Sequence, residues 1–245
     1  MSAKKRLDVL LVERGLAESR SQAQALVLAG RVKGFAKAGE QVDEAAELEM
    51  EEGPRFVSRG GEKLAGALGE LGIGVAGEDC LDVGASTGGF TDCLLQAGAA
   101  RVVALDVGYG QLHPRLREDP RVTVLERTNV RDLRCEDLPF RPTFVACDVS
   151  FIGLAKALPP ALACAAAGWR ALALVKPQFE AGPAEVGRGG VVRDPEVHRR
   201  VVDDVVGRAP EWGARALGVA ESPVRGPKGN REFFVLLADA DREEQ

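Results

Sequence analysis

The sequence predicts an α/β fold, a seven-stranded, mostly parallel sheet with helices on both faces, preceded by a small α+β unit. Three observations predict it. From about residue 62 onward, short apolar runs alternate with helical segments, the signature of strand–helix–strand connections. A glycine-rich turn, Asp82-Val-Gly-Ala-Ser-Thr-Gly-Gly-Phe90, stands where the first of those strands passes into a helix. Charge is also uneven: residues 1–37 carry eight basic and three acidic side chains, for +5, residues 38–52 carry −7, residues 53–238 are neutral and the tail carries −3. The net charge of −5 taken whole argues against a nucleic-acid partner, whereas a basic head before a neutral body argues for one. At about 150 residues per domain, 245 residues make one large domain and one small one, long enough to bury a core without disulfides or metal.

The elements follow in order. Leu7, Leu10 and Leu11 repeat at helical spacing and Gly15 ends the helix. Ser19 or Ser21 caps a second helix bearing Ala25, Leu26 and Leu28, which Gly30 closes. Short strands are expected at Val32–Phe35, near Gln41–Val42 and at Glu47–Met50. The run Arg6-Leu-Asp-x-Leu-Leu-x-x-Arg-Gly, then Ser19-Arg-x-x-Ala and Gly30-Arg-Val, resembles an S4-type RNA-binding module. That resemblance implies a basic helical surface on structured RNA, where Lys and Arg neutralise phosphates and shape is read more than sequence. Lys5, Arg6, Arg14, Arg20, Arg31 and Lys33 are the cations in place for it. The domain reading is 1–52 for this unit, 53–61 for a Pro/Gly linker and 62–245 for the α/β domain. In the latter, a helix from Lys63 to about Leu71 precedes strands at 80–83, 101–105, 122–125, 143–147, 169–175, 215–220 and 232–238. Helices are expected at 90–97, 152–164 and 195–208.

Ligands of such sheets bind beyond the carboxyl ends of the strands. The glycine turn has neither the third-position glycine of a dinucleotide fingerprint nor the Gly-Lys-Ser/Thr of a P-loop. Asp82, just before the turn, suits a cationic ligand better than a pyrophosphate. Asp106, ending the second strand, is placed to accept ribose hydroxyls. S-adenosylmethionine, a sulfonium with an ammonium and an adenosine but no phosphate, meets these conditions, although the turn alone admits other ligands equally well. Its expected contacts are Asp82, Gly84, Ser86, Thr87, Gly88, Gly89, Phe90, Asp106, Asn129, Val130 and Asp148.

Four polar residues stand where a parallel sheet gathers side chains: Lys63 in Ser-Arg-Gly-Gly-Glu-Lys, Asp148 in Asp-Val-Ser-Phe-Ile, Lys176 in Val-Lys-Pro-Gln-Phe-Glu and Glu232 in Gly-Asn-Arg-Glu. A lysine at the end of an apolar strand is not a packing choice. This set resembles the Lys-Asp-Lys-Glu tetrad of FtsJ-like 2′-O-ribose methyltransferases. With the S4-like head, the whole chain from Arg6 to Leu237 resembles the TlyA, or haemolysin A-like, family. The resemblance implies a Rossmann-like class I methyltransferase domain, S-adenosylmethionine as cofactor, and methylation of a cytidine 2′-hydroxyl in ribosomal RNA of the large subunit and in some members the small. It implies Lys176 as general base, oriented by Asp148, with Glu232 positioning Lys63 or the hydroxyl. Arg59 and Arg188 join the cations expected on RNA, Arg188 from a glycine-rich loop at 182–193.

Other readings are a methyltransferase of non-RNA substrates and a non-catalytic rRNA-binding or assembly factor. A lytic role finds no apolar spanning segment to support it, and no metal is expected, since the leaving group is a neutral thioether and only two histidines occur. The five cysteines, widely spaced and odd in number, read as core thiols of a cytoplasmic protein.

Overall fold

The computed structural model describes residues 4–242. The chain divides into two compact units, the first ending at Arg55 and the second beginning at Phe56.

In the first unit, β1 (Lys4–Arg6) pairs antiparallel with β2 (Gln41–Asp43). Between them lie α1 (Leu7–Glu13) and α2 (Arg20–Leu28), the latter capped by Ser19, whose side chain accepts from Gln22 N. Leu7, Leu10, Leu11, Ala23, Val27, Val32 and Val42 form its core. The strands expected at 32–35 and 47–50 shrink to one isolated bridge, Val32 to Met50. Gly34 and its positive φ turn the chain before a ladder can form.

In the second unit, α3 (Arg59–Glu70) starts earlier than expected, so residues 59–61 of the expected linker are helical. Gly-Gly concealed this, because two glycines read as a hinge. Here Gly61 is required by packing: a Cβ on it would stand 2.2 Å from the buried Phe56 ring. Next come β3 (Asp79–Val83), α4 (Gly89–Gln96), β4 (Arg101–Leu105), the short α5 (Pro114–Arg117) and β5 (Val122–Leu125). They are followed by β6 (Phe144–Cys147), α6 (Leu154–Ala163), β7 (Arg170–Val175) and the short α7 (Pro177–Glu180). The chain closes with α8 (Pro195–Arg208), β8 (Ala214–Glu221) and β9 (Phe233–Asp239).

The seven strands run in the order β5-β4-β3-β6-β7-β9-β8, parallel except for β9, which is antiparallel to both its neighbours. Alternate residues point to opposite faces. Cys80, Val102, Phe144, Leu172 and Phe234 pack with Leu64 and Leu94 of α3 and α4. Leu81, Val103, Val145, Ala171 and Leu237 pack with Leu158 and Val201 of α6 and α8. Both faces being covered, the central strands read as continuous apolar runs, which is why their limits were legible. β4 lies on one side of β3 and β6 on the other, so the strand order reverses at β3. That reversal opens the crevice in which such folds bind ligands.

One cysteine expectation is corrected. Cys135 and Cys164 form a disulfide linking a 3₁₀ turn to the end of α6, while Cys80, Cys93 and Cys147 are buried and lie outside it. The two partners are 29 residues apart, a separation that carries no pairing signal. Among the described residues no helix is long and apolar enough to cross a membrane, and no cluster of His, Cys, Asp and Glu is arranged to hold a metal ion.

Candidate functional site

Four strands deliver the site at their carboxyl ends. After β3 the chain turns at Gly84 with φ +87°, where a Cβ would stand 2.3 Å from the Asp148 carbonyl oxygen that follows β6. Only glycine allows that approach. After β4, Asp106 organises the rim. Its Oδ2 accepts from Ser86 N at 2.7 Å and its Oδ1 from Gly108 N at 2.6 Å. Ser86 itself is held at φ +48°, a conformation uncommon for residues other than glycine. A carboxylate has about four acceptor directions, so Asp106 keeps capacity for ligand hydroxyls.

These residues border a cavity of about 770 Å³, lined among others by Gly84, Ser86, Asp106, Asn129, Val130 and Asp148. A second cavity of about 370 Å³ adjoins it, sharing Gly84, Ser86 and Asp148 and adding Arg59, Lys63, Thr87, Gly89, Phe90 and Pro227. An adenosine-sized concavity with a hydroxyl-accepting carboxylate, opening beside a smaller polar one, fits S-adenosylmethionine. The two expected cofactor contacts that line neither cavity are Asp82 and Gly88. Strand alternation explains Asp82: it shares the face of Cys80, toward α4. Fully buried, its Oδ2 accepts from Thr91 N at 2.8 Å and Thr91 Oγ1 at 2.6 Å, satisfying an N–H of the first turn of that helix. Burial pushes its carboxyl up to about 7, against the lowering effect of the Thr91 hydrogen bonds. Asp82 thus braces the turn and lines neither cavity. Gly88 is covered by Leu112 and Leu116.

The four tetrad positions form two lysine–carboxylate pairs, one buried and one part-buried. Lys63 Nζ meets Glu232 Oε2 at 2.6 Å, the two being 7% and 1% exposed. Lys176, 8% exposed, pairs with Asp148 and donates to Ser150 Oγ at 3.0 Å. Lys63 and Asp148, one member of each pair, line the smaller cavity. Burying a charge is tolerated only when it is paired, and here each ammonium has one carboxylate.

The expected RNA cations behave differently in the two units. In the first, all six are engaged internally. Lys5 lies 2.8 Å from Glu13 and 3.0 Å from Glu44, and Lys33 2.5 Å from Glu49. Arg6 and Arg20 both contact the buried Asp8, whose carboxyl is held well below the usual range chiefly by the Arg6 hydrogen bond. Arg14 donates to the Glu44 and Ala46 carbonyls, and Arg31 to that of Glu51. In the second unit, Arg59 lines the smaller cavity and Arg188 is exposed on its loop.

Two residues escaped the sequence reading. Ser150 holds Lys176. Phe151, at φ +67° and 92% exposed, lines the larger cavity, its ring 5.2 Å from that of Phe179. An exposed aromatic cannot be told from a core one by sequence alone, and the only signal was its place beside Asp148.

Comparison with known proteins places this geometry. Residues 56–238 match the family described as FtsJ-like methyltransferase, and residues 5–33 match the S4 domain. The chain is 49% identical, over 97% of its own length and 91% of the relative's, to the 16S/23S rRNA (cytidine-2′-O)-methyltransferase TlyA of Mycobacterium tuberculosis. It is 39% identical to Hemolysin A of Brachyspira hyodysenteriae over 94% of its length and 98% of that protein. Among solved structures, a chain from Streptococcus thermophilus provisionally named a hemolysin superposes with a TM-score of 0.75 at 42% identity, covering 99% of this chain and 90% of that one.

Proposed function

This chain belongs to the FtsJ-like methyltransferases, in the TlyA family, and from that premise we propose that it methylates the ribose 2′-hydroxyl of a cytidine in large-subunit ribosomal RNA, using S-adenosylmethionine, with Lys176 as general base. The observation that carries the reading is the smaller cavity, into which each lysine–carboxylate pair contributes one member beside the larger, ribose-accepting one.

S-adenosylmethionine supplies a methyl group on a sulfonium and departs as a neutral thioether. Asp106 holds its ribose, Asn129 and Val130 border its base, and Gly84 lets the backbone approach it. The acceptor nucleotide enters the smaller cavity. Beside Asp148, which lines that cavity, the 2′-hydroxyl gives its proton to the Lys176 amine as its oxygen bonds to the methyl carbon. Asp148 and Ser150 aim that amine. Glu232 fixes Lys63, whose ammonium offsets negative charge developing on the oxygen. The exposed ring of Phe151, lining the larger cavity, offers a face on which the cofactor's base stacks.

The mycobacterial relative's name covers both subunits, which supports the small subunit as a second target. The head cations reach phosphates by exchanging partners. Exposed ion pairs add little stability, so a phosphate displaces Glu44 from Lys5 or Glu49 from Lys33 at little cost.

The test is Lys176→Ala. Turnover falls about 10²–10⁴-fold, the usual loss on removing a general base, while calorimetry shows S-adenosylmethionine binding unchanged. Turnover at the wild-type rate would refute Lys176 as the base.

A further inference from the structure

Many arginines of the second unit are answered by carboxylates, as Arg101 is by Asp79 and Arg231 by Glu221. Arg188, Arg193, Arg225 and Lys228 are exposed and, among the described residues, have no ion pair. They lie on two loops, around 187–193 and 225–228, separated by α8 and β8 in sequence.

One buried side chain joins the loops. Asn230 is 2% exposed. Its Nδ2 donates to the Gly190 carbonyl at 2.9 Å and its Oδ1 accepts from Val192 N at 3.0 Å. Its own carbonyl accepts from Gly226 N at 3.0 Å. The first loop also closes on itself through the Gly187–Val191 bridge and is held from behind by the His198 ring, whose Nε2 donates to the Val192 carbonyl at 3.0 Å. Two of the cations are placed on this frame. Lys228 Nζ lies 3.6 Å from where a Cβ on Gly190 would sit, and an Arg193 guanidinium nitrogen 3.6 Å from the same point on Gly187. The second loop is at the same time a wall of the acceptor site. Pro227 lines the smaller cavity with Lys63, and a Cβ on Gly226 would stand 2.5 Å from Glu232 Oε1.

Four like charges on adjoining loops repel one another, and none of them closes an ion pair among the described residues, although Arg225 is near enough to Glu221 to help lower its carboxyl. Held on a pinned frame at the rim of a nucleotide-sized cavity, they match a chain of phosphates. We infer that the two loops, pinned by Asn230, form one cationic ledge that grips the RNA backbone beside the nucleotide in the smaller cavity. The inference rests on the reading of the chain as an RNA methyltransferase. Arg225 and Lys228 are phosphate contacts. Asn230 is a positioning residue that ties the ledge to the segment leading through Glu232 into β9.

The test compares wild type, the double variant Arg225→Gln/Lys228→Gln and Asn230→Ala. Affinity for unmodified ribosomal RNA is measured against salt, and methylation kinetics on unmodified subunits. For the double variant, the slope of log affinity on log salt falls by about 2, near 1 for each phosphate no longer neutralised. KM rises while kcat holds, because the ledge binds ground and transition states alike. Asn230→Ala also raises KM without lowering kcat. A double variant that keeps the wild-type slope and KM, beside a wild type that methylates normally, overturns the ledge alone. The double variant is the test that stands if Asn230→Ala does not fold. A wild type that transfers no methyl group to RNA overturns the functional reading and the ledge with it.

Discussion

Lys63 and Lys176 show how little of a site's chemistry lies in one residue. Each is one lysine among many in sequence, and each gains its role through the single carboxylate it meets. The four positions were legible because they end apolar strands or flank glycine motifs. Their pairing was legible only as an implication of family resemblance, since Lys63 and Glu232 are 169 residues apart. Asp82 shows the opposite limit. In a strand covered on both faces nothing in the residue pattern says which partner a polar side chain takes, and Asp82 takes Thr91 of α4. Its consequence is a pH dependence. With its carboxyl pushed from the ordinary 3.8 up to about 7, the folded protein holds a proton that the unfolded chain releases between those values. Folding therefore gains least from Asp82 at high pH: its contribution is full below about pH 4 and is lost as pH rises through about 7. Melting temperatures of Asp82→Asn measured from pH 5 to pH 8 fall less than those of the wild type. An identical fall in both would remove Asp82 as the cause.

At the scale of elements, strands were read more faithfully than turns. The limits of β4, β5 and α8 follow from apolar runs and from Pro195, which opens α8 behind the Asp194 cap. By contrast β1 is Lys-Lys-Arg, with no apolar alternation to reveal it, and α3 begins inside a Ser-Arg-Gly-Gly stretch that imitates a hinge. The Gly84 turn is the element on which the site depends most. At φ +87° and with the Asp148 carbonyl 2.3 Å from any Cβ, Gly84→Ala must move either the turn or the strand end that carries Asp148. A side chain in this conformation costs about 1–3 kcal/mol in strain alone. The expected result is loss of S-adenosylmethionine binding by calorimetry in a protein whose circular dichroism is native. Wild-type affinity would show that the turn does not shape the cofactor cavity.

The whole molecule recasts the net charge of −5. The acids of residues 38–52 are not a separate acidic region. Glu44 and Glu49 lie on Lys5 and Lys33, and the Glu44 and Glu51 carbonyls on Arg14 and Arg31. The segment therefore answers the head's own cations and tempers their attraction for any polyanion. Glu44→Gln/Glu49→Gln is expected to tighten binding to unrelated RNA and steepen its salt dependence, with target methylation little changed. An unchanged affinity for unrelated RNA would show that the pairs do not screen the head. The central claim concerns where the methyl group goes. Wild-type protein incubated with labelled S-adenosylmethionine and unmodified ribosomal subunits, followed by nucleoside mapping, is predicted to place label on the 2′-oxygen of a cytidine in ribosomal RNA. Label on a base, on protein, or on nothing would contradict it.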